Sequence, residues 1–469
     1  MDSRMNLVLG LDLGTTSVKA VILHPETYEV LHACSQDTNA DVTSDIGPLG
    51  SEQDVVKIMK AAEKCVQNLD HENLKKVSLI GVSGQMHGCM LWKEKPWMKN
   101  GRGEIELIEA KYSRLYTWQD SRCTQEFLTS LPVPESHLRI ATGHGCASMF
   151  WLQKHCPEYV ESFDRAGTVM DFVVSALCDL DHPVMSVQTA ASWGYFDTRK
   201  NEWNLERLLS AGFPTHLLPE VKYPGCIAGH LETSWLGLVP VRTQVSAAMG
   251  DLPCSVLPSL ENPTDAVINI GTSAQVVTRA PKGFAPPTSK AASSVEYFPF
   301  FEGRYLKVAA ALNGGNAIAA FIDMLHEWMS ALGCHVTKDS MYDKAISAAM
   351  QVGKTDLVIN PTLLGERHQP DLRASVSNIM TNNVSLGHVM RAMCCGVITN
   401  LHNMLPRESL VEDGVTRIVG CGSALVRNKI LQEELERIFG LSVVYKEGGN
   451  AAVGAALGMI LYHENNEST

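Results

Sequence analysis

Residues 9–21 read LGLDLGTTSVKAV, and a degenerate copy, VINIGTSAQVV, returns at residues 267–277. Each copy predicts an apolar strand, a tight Gly-Thr-Ser turn and a second apolar strand. Chains that repeat such a hairpin fold as two related halves. The copies are unequal, because the acid Asp12 of the first stands where the second has the amide Asn269. Two glycine turns facing one another, with a single carboxylate between them, suit a phosphate chain and the metal that accompanies it. The repeat therefore points to an ATP-using enzyme.

At 469 residues the chain exceeds one ordinary core, and the repeat divides it into residues 1–256 and 257–469. Apolar residues make up 45% and charged residues 19%, enough to bury a core in each half. A net charge of −12, without any lysine or arginine run, argues against nucleic-acid and anionic-membrane partners. The 13 cysteines fall in no Cys-x-x-Cys pair or zinc-like spacing and read as reduced thiols. The first predicted strand follows Met1–Arg4 at once, and no apolar run reaches the ~20 residues of a membrane span. The expected setting is cytoplasmic, and the composition leaves the oligomeric state open.

Strands are predicted over residues 6–13 and 18–23 and again over 77–82, with a helix over 53–68 between them. Residues 94–113, charged and aperiodic, read as a surface excursion, and helical and loop material extends to about residue 245. The stretch from Pro281 to Ser293 is a proline-rich loop. A strand at 417–420, a glycine turn and a helix from about 427 to 439 close an alternation that predicts α/β layers with mixed sheets. The small-residue run 451–456 reads as a closely packed structural helix.

Asp12 lies in a strand otherwise made of Leu and Gly, where an unpaired carboxylate is costly to bury. It reads as the magnesium-ordering acid, with capping of the next turn as its alternative. Gly14, Thr15, Thr16 and Ser17, with Gly271, Thr272 and Ser273, would offer amides and hydroxyls to phosphate oxygens. No Gly-x-x-x-x-Gly-Lys-Ser/Thr frame occurs, which disfavours a P-loop. Asp251, just upstream of the second hairpin, is the candidate general base, with a helix N-cap as the alternative. Gln85, Met86 and His87 follow a strand end, where ligand sites of α/β folds open. Trp118 and Asp120, in the run Trp-Gln-Asp-Ser-Arg ending at Arg122, set a carboxylate beside an aromatic plate suited to a sugar. Gly420, Gly422, Ser423 and Asn428 surround a strand-to-helix turn able to approach a nucleotide, and Gly315 opens another helix expected beside it.

The hairpin pair resembles the phosphate loops of the actin, hexokinase and chaperone ATPase superfamily. The Gln-Met-His motif at residues 85–87, the Trp-x-Asp-x-Arg motif ending at Arg122 and the Gly-x-Gly-Ser-Ala run at residues 420–424 narrow this. Together they resemble the FGGY carbohydrate kinases over almost the whole chain, from about residue 6 to 462. The resemblance implies two actin-like (ribonuclease H-like) domains with mixed sheets flanked by helices, and an ATP cleft between them. It implies ATP and Mg²⁺, Asp251 as base, Asp12 on the metal side, and Gln85, Met86, His87, Trp118 and Asp120 at the sugar. Residues 191–196, 312–316 and 365–370 bring it nearest to members that phosphorylate the 7-hydroxyl of sedoheptulose for the pentose phosphate pathway. Kinases of xylulose or ribulose are the alternative. Residues 365–368, Gly-Glu-Arg-His, are assigned to closure or packing. Leu252 and Pro253 depart from the family, which often has glutamine and small residues after the acid. A non-catalytic sensor on the same scaffold is disfavoured by the presence of both Asp12 and Asp251.

Overall fold

The computed structural model describes residues 7–288 and 293–467. Residue 6 of the first predicted strand and residues 289–292 of the proline-rich loop lie outside the described residues.

In the first half, Leu7–Leu13 (β1), Ser17–Leu23 (β2), Val30–Asp37 (β3), Val77–Gly84 (β4), Ile227–His230 (β5), Gln244–Ser246 (β6) and Met249–Gly250 (β7) share a sheet. Its order is β5-β6-β4-β1-β2-β3, with β7 also on β4. In the second half, Asp265–Ile270 (β8), Ala274–Arg279 (β9), Val295–Pro299 (β10), Tyr305–Ala311 (β11), Arg417–Cys421 (β12) and Ser442–Tyr445 (β13) take the order β10-β11-β9-β8-β12-β13. Antiparallel β1–β2 and β2–β3 are followed by β4 parallel to β1. Likewise β8–β9 and β9–β11 are antiparallel, and β12 lies parallel to β8. The repeat of the hairpin is therefore a repeat of topology. Asp12 pairs with Lys19 and Ser83, while Asn269 pairs with Gln275 and Cys421, so the acid and the amide hold equivalent places.

The helices that shape the site are Val55–Gln67 (α1), Val187–Trp193 (α2), Asp251–Val256 (α3), Gly315–Ala331 (α4), Lys429–Phe439 (α5) and Ala451–Glu467 (α6). β1 is buried at every residue, as expected for a parallel-paired strand covered on both faces. One cover is α1, whose predicted stripe of Val55, Ile58, Met59, Ala62, Cys65 and Val66 is buried. Asp54 starts that helix by accepting from the amides of Val56 and Lys57.

The other cover is α6, which wedges between the two halves. Its Ala456, Met459 and Ile460 cluster with Val8, Leu23 and Leu79 of the first sheet. Its Ala451 and Ala455 join Val267, Val277 and Val419 of the second. The small residues predicted to pack against helices thus meet strands as well, and a Cβ on Gly10 or Gly81 would collide with the carbonyls of Ala452 or Ala455. No helix among the described residues is long and apolar enough to cross a membrane.

The segment 94–113 departs from expectation. It carries a small hairpin, Trp97–Lys99 with Ile105–Leu107. Trp97 and Ile105 are buried in the first core, and Trp97 Nε1 donates to Asp179. Two apolar side chains outweigh the surrounding charges there. Short strands also interrupt the region before residue 245, among them Val184–Ser186 and Glu220–Lys222, which pair with each other.

Candidate active site

Both phosphate hairpins close on their own backbone. Gly14 N donates to Ser17 O at 3.1 Å, and Gly271 N to Ser273 O at 3.0 Å. The second hairpin is also tied to the start of α4, through Gly315 N to Gly271 O (2.8 Å) and Asn316 N to Thr272 O (3.0 Å). The positive end of a 17-residue helix thereby lies against the turn, where an anion is favoured. Thr16, Thr272 and Ser273 are exposed.

Beside this turn opens a cleft of about 660 Å³ whose lining includes Gly271, Thr272, Gly315, Ser423 and Asn428, five of the predicted ATP residues. Asn316 of the 312–316 run also lines it, as do Tyr342, Asp343, Ile346 and Arg427, which the sequence did not single out. Gly422 turns the chain with φ +94°, and a Cβ there would strike Asn269 Oδ1 and the Ile270 carbonyl. Two expectations change in role. Gly420 is a buried strand residue beneath the Tyr445 ring and does not line the cleft. The Asn428 carboxamide caps α5, accepting from Ile430 N (3.0 Å) and Leu431 N (3.3 Å), so its oxygen serves the helix.

In the first sheet, Asp12 is only 6% exposed and accepts a long 3.4 Å hydrogen bond from Ser83 Oγ. Burial raises its pKa, and the Lys19 charge only partly opposes this. Asp251 is the first residue of α3, with Gly250 rather than Asp251 in the cap position. Its carboxylate accepts from the adjacent Leu252 N at 2.8 Å. Its edge stays partly accessible, yet burial, followed by the charge of Asp12, pushes its pKa up to about 7. Ser83 of β4 pairs with Asp12 on one side and Met249 on the other, so a single strand separates the acids. Two under-compensated carboxylates fit a divalent cation that keeps most of its waters, and a carboxylate near neutrality fits a general base.

On the sugar side, Gln85 is buried, and its Nε2 donates to Gln53 Oε1 at 3.0 Å. Gln85 Oε1 has no partner among the described residues. Met86 packs against Gly250, where a Cβ would crowd its sulfur. His87 adopts φ 74°, meets the Ser192 carbonyl through Nδ1 at 3.0 Å, and stacks on His144 with ring centroids 4.7 Å apart. Burial holds its pKa down, and the charge of Arg367 from the second half adds to this. A neutral imidazole acts as a hydrogen-bond partner here. Trp118 is 42% exposed, and its Nε1 donates to Thr15 Oγ1 at 3.0 Å, joining the sugar loop to the first phosphate turn.

Asp120 is a correction. Its carboxylate accepts from Ser51 N (3.1 Å), Arg122 N (3.1 Å) and Arg122 Nη2 (2.6 Å), with Arg122 Nε also on it. With its acceptor capacity filled, it anchors the Trp118 loop instead of presenting oxygens to a sugar. Glu366 bears out the packing role expected of its loop, accepting from Leu312 N, Asn313 Nδ2 and Asn400 Nδ2 at 2.8–2.9 Å.

The sequence reading missed Gln53, His144 and Gln188. Gln53 Nε2 donates to Thr15 O at 2.8 Å while its oxygen receives Gln85, so it bridges both loops. Its one sequence signal is an amide just before α1. His144 precedes a helix, and nothing local marks its stack on a residue far along the chain. Gln188 Oε1 accepts from Gly250 N at 3.1 Å.

The model of the FGGY family of carbohydrate kinases, N-terminal domain, matches residues 7–257. The chain is 48% identical to sedoheptulokinase of Mus musculus over 464 residues, covering 97% of each. It is 47% identical to sedoheptulokinase of Homo sapiens over 475 residues, covering 99% of each. Among solved structures, the xylulose kinase of Rhodospirillum rubrum superposes with TM-score 0.79 at 16% identity, over 97% of this chain and 90% of that one. The two sheets thus share the architecture of that kinase.

Proposed function

The chain belongs to the FGGY family of carbohydrate kinases, and from that premise we propose that it transfers the γ-phosphoryl group of ATP to the terminal 7-hydroxyl of sedoheptulose. The products are sedoheptulose 7-phosphate and ADP. The chemistry rests on one observation, the partly enclosed Asp251 whose pKa is pushed up to about 7 opposite Asp12. The choice of sugar rests on the near full-length similarity to proteins of that name.

Asp251 takes the proton of the attacking hydroxyl as the new oxygen–phosphorus bond forms and the β,γ-bridge bond breaks. Thr16, Thr272 and Ser273, with the hairpin amides, hold the phosphate oxygens and supply charge stabilisation without reorganisation. Mg²⁺, when bound on the Asp12 side, offsets phosphate charge. Gln85 and His87 orient the sugar, and Trp118 shields one side while fixing Thr15. The cleft beside α4 receives the adenosine end. The thirteen cysteines are all free thiols, which supports a reducing, cytoplasmic setting.

The test is magnesium-dependent ADP release with a panel of five-, six- and seven-carbon ketoses. Sedoheptulose should give the highest kcat/KM, a flat response refutes the kinase reading, and preference for xylulose reassigns the substrate. Asp251→Ala should lose on the order of a thousandfold or more in turnover while still binding ATP. Near-normal turnover removes Asp251 as the base.

A further inference from the structure

Gln188 lies wholly buried in α2, between two parts of the site. Its Oε1 accepts from the amide of Gly250, the residue before the base, at 3.1 Å. Farther along the same helix, the Ser192 carbonyl meets His87 Nδ1. Helix α2 therefore holds the strand that delivers Asp251 and the loop that delivers His87.

A backbone N–H can only donate, so the side-chain atom facing Gly250 must be the amide oxygen. The NH₂ group then faces away from Gly250, and among the described residues nothing accepts from Nε2. A buried donor without an acceptor is unfavourable, and native folds rarely keep one without a purpose. Gln85 supplies its complement, a buried Oε1 that receives no donor among the described residues. The two amides adjoin the same β-ladder step, because Gly84 pairs with Gly250, Gln85 follows the first and Gln188 holds the second.

One unused donor and one unused acceptor beside a carboxylate select against other ligands. A metal ion gains nothing from an NH₂ group, and a phosphate is repelled by Asp251 and by the Gln85 oxygen. Neighbouring hydroxyls of a polyol, each able to donate and accept, satisfy both.

We infer that Gln188 is a sugar-contacting residue: its Nε2 donates to the oxygen of the 5- or 6-hydroxyl, near the one phosphorylated, while its Oε1 keeps Gly250, and with it Asp251, in place. This inference rests on the ketose kinase reading of the same site. Because the contact is with the sugar and not with the nucleotide, it separates the two substrates kinetically.

The experiment compares wild type, Gln188→Met and Gln188→Glu on sedoheptulose and its 5- and 6-deoxy analogues. ADP release gives kinetic constants, and calorimetry without ATP gives sugar affinity. Gln188→Met should raise the sugar KM roughly 10- to 100-fold and leave the ATP KM within about twofold. It should also erase the penalty that wild type shows for one deoxy analogue. Gln188→Glu keeps an acceptor for Gly250 N–H, and its buried carboxyl, when protonated, keeps a donor as well, so it serves as the folding control. If folded Gln188→Met rejects that analogue as sharply as wild type does, the inference is overturned. It is equally overturned if wild type pays no penalty for either analogue, since bound water then satisfies the amide. Absence of ADP release from wild type with every ketose refutes the kinase reading instead.

Discussion

Replacing Asp12 by Asn should move the acid limb of the pH–rate profile downwards. Burial is the larger cause of the raised Asp251 pKa, and the charge of Asp12 is the second. Asp12 and Met249 both pair with Ser83, so two strand spacings, ~9–10 Å, separate their backbones. Two unit charges about 8–10 Å apart interact by about 2 kcal/mol at an effective dielectric of 20, or roughly 1–1.5 pKa units. The limb of kcat/KM should therefore lie near pH 7 in the wild type at low magnesium, and about one unit or more lower in Asp12→Asn. Turnover falls as well, because the metal-side carboxylate is gone, so the assay is ADP release at high enzyme concentration over a pH series. An unmoved limb in an active Asp12→Asn enzyme refutes the claim that the two acids sense each other. Thermal unfolding without metal supplies an independent check. An acid with a raised folded pKa binds its proton more tightly when folded, so its stabilisation is full below about pH 4 and lost as pH rises through about 7. Asp171, also pushed up to about 7, acts in the same window, so the informative quantity is the slope that Asp251→Asn removes from the wild type.

Gly422→Ala should cost about 2–3 kcal/mol and raise the ATP KM, because it places a Cβ at a positive-φ position against Asn269. Unchanged ATP kinetics would exclude this turn from the nucleotide site. Gly81→Ala drives a methyl into the Ala455 carbonyl, a backbone atom with little room to yield, and should destabilise by about 3 kcal/mol in urea unfolding. A midpoint equal to wild type contradicts the close seating of α6. Gln53→Ala strips Thr15 O of a donor and Gln85 of an acceptor, and should raise the sugar KM about tenfold while slowing turnover. A normal sugar KM would remove Gln53 from the link between the loops.

Particular residues show how far the sequence reaches. The Gly-Thr-Ser turns, the α1 stripe and the place of Asp251 before the second hairpin are set by chain neighbours, and all were legible. Trp97 was misjudged because the charges around it hid a buried apolar side chain. Asp120 was misjudged because its saturation depends on Arg122 curling back and on Ser51, 69 residues earlier. Gln188 was silent because its meaning lies in Gly250, 62 residues on.

The sequence alone determined the duplicated hairpin and the single acid in its first copy, because strand period and turn chemistry are short-range. Only the tertiary structure decided that burial and Asp12 push the Asp251 pKa up to about 7, that Asp120 is fully bonded, and that Gln85 Oε1 and Gln188 Nε2 are buried without a partner among the described residues. Those properties follow from burial and from through-space contacts between distant segments, which no local pattern encodes.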